Sequence, residues 1–64
     1  MKIRIISDYR GLFFIDVPEY ISVFELKQKL LDEKGIYLGD EPLLFNGMIL
    51  SDEDTLKDNI FIKY

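Results

Sequence analysis

With 64 residues, 48% hydrophobic and 31% charged, the chain has room for one small domain, residues 1–64, and one core. It contains no cysteine and no histidine, which excludes disulfide stapling, the usual zinc ligands, and thiol or imidazole catalysis near neutral pH. Twelve acids against eight bases give a formal net charge of −4, the wrong sign for gripping a phosphate backbone. No apolar run approaches the roughly 20 residues of a membrane span, and the opening Met1-Lys2-Ile3-Arg4 is charged too early for a signal peptide. The expectation is an intracellular protein, cytoplasmic or nuclear, monomeric by itself. It is expected to be no enzyme, to need no cofactor or metal, and to contact neither nucleic acid nor membrane.

The β-branched Ile3, Ile5 and Ile6 predict a strand from Lys2 to Ser7, and Asp8-Tyr9-Arg10-Gly11 supplies turn chemistry. A second strand runs from Leu12 to Val17, where Pro18 ends it because it has no N–H for the ladder. Ser22 followed three residues later by Glu25 makes a capping box, and Val23, Leu26 and Leu30 recur at helical spacing before Gly35. A helix over about residues 23–34 follows. After a turn-rich stretch, Leu43-Leu44-Phe45 reads as a short strand, Asn46-Gly47 as a tight hairpin turn and Met48-Ile49-Leu50 as its return. Thr55 with Asp58 is placed to cap one helical turn, and Ile60 to Tyr64 predicts a last strand.

A right-handed crossover that buries the helix stripe on the sheet gives an α+β fold, a mixed four- to five-stranded sheet wrapped around one helix. That is the β-grasp arrangement, with the first and last strands side by side and parallel in the middle. Ile3, Ile5, Phe13, Ile15 and Val17 would meet Val23, Leu26, Leu30, Leu43, Leu50 and Leu56 in its core.

Over about residues 1–59 the chain resembles the ubiquitin family. Met1, Ile3, Ile5, Ile15 and Val17 are similar to that family's opening hairpin, and Ser22-Val23, Leu26-Lys27, Lys29-Leu30, Asp32 and Gly35-Ile36 to its helix. Leu43-Leu44-Phe45, Gly47, Leu50, Asp52, Thr55-Leu56 and Asp58 resemble its most recognisable segment without insertion or deletion. Conjugated members carry a tail ending in two glycines; here the sequence stops at Tyr64 and its last glycine is Gly47. Lys27, Lys29 and Lys63 coincide with family lysines, but Met48 stands where the best-known chain-building lysine would be. The departures imply a module that acts without conjugation, like the tail-less relatives. The other readings are a modifier or fusion whose tail or further domain lies beyond Tyr64, and a structural subunit of a larger complex such as a ribonucleoprotein.

Two surfaces are candidates for a protein partner. Opposite the core, Ile6, Leu12 and Phe14 alternate onto one strand face, and Leu44 matches the isoleucine at the centre of the family's binding patch, with Gly47 and Met48 beside it. The resemblance implies that ubiquitin-receptor-like domains or subunits of an assembly would dock there. The second surface comprises Tyr20, Phe24 and Leu31, at places where the family is polar, with Ile21 next to it. There the alternative is local packing: Tyr20 or Ile21 as a hydrophobic staple and Phe24 against Leu38. The acids Asp52, Glu53 and Asp54 lack the spacing and glycine of a calcium loop and read as a solvated turn. Asp8, Asp16 and Glu19 have no pocket to make them catalytic.

Overall fold

The computed structural model describes residues 1–39, 41–57 and 61–64, Phe61 by its backbone alone. The elements are β1 (Lys2–Ser7), β2 (Gly11–Asp16), α1 (Val23–Lys34), β3 (Leu44–Phe45), β4 (Met48–Ile49) and β5 (Phe61–Lys63). They form one mixed sheet in the order β2-β1-β5-β3-β4. Both expectations for its middle hold: β1 and β5 are neighbours, and they run parallel, with Ile5 opposite Ile62.

The first hairpin keeps an unbroken antiparallel register from Lys2 opposite Asp16 to Ser7 opposite Gly11. Its turn is tied by the Ser7 hydroxyl, which accepts from the backbone N–H groups of Tyr9 (3.1 Å) and Arg10 (3.3 Å). In α1 the Ser22 Oγ accepts from the Glu25 N–H at 3.1 Å, and the Glu25 carboxylate accepts in return from the Ser22 N–H at 3.4 Å. At the far end Gly35 takes φ +69°, and the N–H groups of Gly35 and Ile36 reach back to the carbonyls of Leu31 and Leu30. At both helix ends some of the orphan backbone groups are thus satisfied at the residues that mark those ends in the sequence.

Asn46 (φ +51°) and Gly47 (φ +77°) are both left-handed, the geometry a two-residue hairpin needs to follow the strand twist. The turn pairs Phe45 with Met48 and Leu44 with Ile49, and the Leu50 N–H to Leu43 carbonyl bond extends it by one step.

Thr55 bridges Ser22, and the Leu56 N–H donates to the Ile21 carbonyl at 2.9 Å; the helical turn expected from Thr55 to Asp58 extends outside the described residues. This short crossing ties the segment after β4 to the helix N-terminus. Asp58 and Ile60, where the cap and the start of the last strand were placed, lie outside the described residues. Ile21 is 4% exposed and belongs to the core, in keeping with the local-packing alternative. It therefore serves neither as a partner contact nor as part of a surface with Tyr20.

The core gathers the inward residues of β1 and β2 (Ile3, Ile5, Ile15), the stripe Val23, Leu26 and Leu30, and Leu43, Leu56 and Ile62 around them. Phe13, Leu50 and Tyr64 pack against it from the edge, partly buried. Ile36 and Leu38 close it below the helix C-terminus. With one sheet face and the helix stripe committed to this core, no element among the described residues lies over the other face of the sheet.

Candidate functional site: the outer face of the sheet

Side chains directly opposite each other in neighbouring strands share a face. Following the register across all five strands gives one continuous row: Leu12, Ile6, Lys63, Leu44 and Ile49. Each residue is the paired neighbour of the next. A second step along β1 adds Phe14, opposite Arg4, and a third adds Asp16, opposite Lys2. The Lys2 ammonium sits 5.7 Å from the centre of the Phe14 ring, within cation–π range.

Ile6 and Leu44 are half-buried in the middle of the row, while Leu12 (55% exposed), Phe14 (47%) and Ile49 (71%) stand clear at its edges. A shallow depression of about 380 Å³ lies between Leu44, Asn46, Gly47 and Lys63. Lys2, Arg4 and Lys63 share this face with a single acid, Asp16, although the chain as a whole carries −4. Among the described strand residues the face is thus apolar with cations set into it and Asp16 as its acid.

Four expected residues, Ile6, Leu12, Phe14 and Leu44, come together. Gly47 lies beside them as the turn that fixes the β3–β4 register, and with no heavy atom within 4 Å of an added Cβ its constraint is backbone conformation rather than space. Met48 is misplaced by the sequence reading. It opposes Phe45, which packs on the core side, so its side chain alternates away from Leu44. Ile49 takes the position beside Leu44. The signal was present: in a two-residue hairpin closed by Asn46-Gly47 the residues flanking the turn pair first, so Leu44 must pair with Ile49.

The second expected surface divides. Tyr20, held at φ +60°, lines a depression with Met1, Glu19, Leu56 and Lys57, whereas Phe24 and Leu31 lie with Tyr37 on the outer side of α1. Phe24 lines a separate depression there together with Leu38, as local packing would have it, but remains half exposed.

The acidic turn has a structural task. The carbonyls of Asp52 and Asp54 accept the N–H groups of Phe24 (3.1 Å) and Val23 (2.8 Å), and the Asp54 carboxylate accepts from the Ser51 N–H at 2.9 Å. These bonds satisfy donors at the N-terminus of α1 that have no partner within the helix. Among the described residues no cluster of three potential ligands is placed to hold a metal ion, and no helix is long and apolar enough to cross a membrane.

No curated protein matches the chain in sequence. Among solved structures, a protein designed de novo on the basis of ubiquitin is similar, with a TM-score of 0.76 over 98% of this chain and 83% of that one. At 20% identity this likeness speaks for the fold alone. Residues 2–60 match the sequence model of the ubiquitin family, so the chain, with its five-stranded sheet and capped helix, belongs to that family.

Proposed function

We propose that this chain is a non-catalytic protein-binding module that docks a protein partner non-covalently on the outer sheet face, centred on Leu44. The observation that carries this reading is the uninterrupted row Leu12, Ile6, Lys63, Leu44, Ile49. Apolar residues on both sides of Lys63, spread over four of the five strands in a domain with little apolar area to spare, are costly to leave in water and mark an interface. Phe14 widens the apolar area, and Lys2 at its edge and Lys63 at its centre favour a partner that presents carboxylates to them. Membership of a family that is in general non-enzymatic supports the same reading.

The test is a titration of the ¹⁵N-labelled chain with ubiquitin-receptor helical domains. Amide shifts should centre on β1, β3 and β5, and Leu44→Ala should weaken binding by about 1–2 kcal/mol while the urea melt hardly moves. Shifts that avoid the row, or an affinity unchanged by Leu44→Ala, would count against the proposal. A second reading, a subunit held on two sides in a larger complex, is favoured by the separate exposed group Phe24, Leu31 and Tyr37.

A further inference from the structure

A groove of about 220 Å³ runs along the outer side of α1, on the far side of the core from the sheet face. Its floor is the buried pair Ile36 and Leu38, and its walls are Phe24 (53% exposed), Leu31 (41%) and Tyr37 (80%). The Tyr37 ring stands close to Gly39, whose φ is +58° and where an added Cβ would lie 3.3 Å from Tyr37 Cε2. Phe24 and Leu31 stand two helical turns apart on one side of α1, roughly 10 Å along its axis at 1.5 Å per residue. An antiparallel or parallel helix laid along the groove repeats that spacing between its own apolar residues, so two anchors seat together.

Charge selects the occupant. At the Phe24 end lie Asp52, Glu53 and Asp54, held there by the backbone bonds from Phe24 and Val23. The cation in the groove is Lys27, whose ammonium is already committed to Asp52 Oδ1 at 3.2 Å and whose stem lies in the wall. That end therefore has carboxylates in excess, the reverse of the sheet face. We infer that the groove between α1 and the 36–39 segment takes a cationic amphipathic helix of another protein, with two apolar anchors two turns apart and Lys or Arg side chains meeting Asp52 and Glu53. The inference is independent of the sheet-face reading, since the two surfaces are separate and of opposite electrostatic character.

The experiment is an NMR titration of the ¹⁵N-labelled chain with an amphipathic peptide of about four turns carrying two leucines two turns apart and lysines at one end. Two controls reverse the lysines to glutamates or replace the leucines by serines. The expected result is shifts at Phe24, Gln28, Leu31 and Gly39, and a loss of about tenfold or more in affinity with either control peptide, as for a hot-spot contact. The protein variants Glu53→Lys and Tyr37→Ser should give losses of the same order; both residues are exposed, so the fold survives, and a urea melt verifies it. Equal binding of the acidic peptide, shifts centred on Leu12 and Leu44, or no binding at millimolar peptide would overturn the inference. So would concentration-dependent self-association abolished by Tyr37→Ser, because the occupant would then be a second copy of this chain.

Discussion

Met48 and Ile49 are adjacent, similarly exposed and similar in apolar area, yet the hairpin register sends them to opposite faces. Substituting each with alanine therefore tests the docking face without changing the size of the perturbation. Full burial of either side chain is worth roughly 1.5–3 kcal/mol. Ile49 is 71% exposed, so a partner that covers it gains up to about 1.5–2 kcal/mol. Alanine retains part of that, which leaves a loss of about 1 kcal/mol, or roughly fivefold in Kd. Met48→Ala should leave Kd unchanged within error, and both variants should lose less than about 1 kcal/mol in a urea melt, as exposed positions do. The assay is calorimetric titration with whichever receptor domain binds the unmodified chain. Equal weakening by the two variants would refute the face assignment, and weakening by Met48→Ala alone would invert it.

Three further outcomes are expected. Leu26→Ala empties a fully buried site at the centre of α1 and should cost about 2–5 kcal/mol, most of a small domain's stability, seen as a large fall in the urea midpoint; a melt little changed would contradict the core assignment. Ser22→Ala removes the acceptor for the Glu25 N–H and should cost about 1 kcal/mol, while Ser22→Asp should restore most of it. The Tyr64 hydroxyl is buried with no hydrogen-bond partner among the described residues, so Tyr64→Phe should be neutral or stabilising, by up to about 1 kcal/mol, in the same melt; a clear loss of stability would show that the hydroxyl is satisfied in solution.

The elements set by local chemistry could be read from the sequence to within a residue or two. The capping box Ser22/Glu25 and Gly35 bound the helix, and Asn46-Gly47 places the second hairpin. What stayed open or failed needed distant partners. Ile21 looks like a surface residue beside Tyr20 until the Ser22–Thr55 bridge draws its segment against Leu56. Met48 was placed beside Leu44 through the likeness to the family's patch, and counting outward from the turn would have corrected it. Tyr37 became visible as a wall only in the folded chain, close to Gly39, whose left-handed backbone no periodicity rule reports.

The seam at the middle of the sheet, β1 against β5, joins the two ends of the chain, with Arg4 opposite Phe61. Each hairpin and the helix gain from contacts near in sequence, but this seam must first meet the entropy of closing nearly the whole chain into a loop. The row crosses that seam between Ile6 and Leu44, and Lys63 of β5 is its middle residue. No isolated hairpin contains the row, and neither does a partly folded chain lacking β5. A partner seated on it would therefore discriminate between complete and incomplete copies of the domain, and at a hundredfold excess over Kd it would add about 2.7 kcal/mol to the stability of the complete ones alone. Occupancy and protection from proteolysis would then rise together.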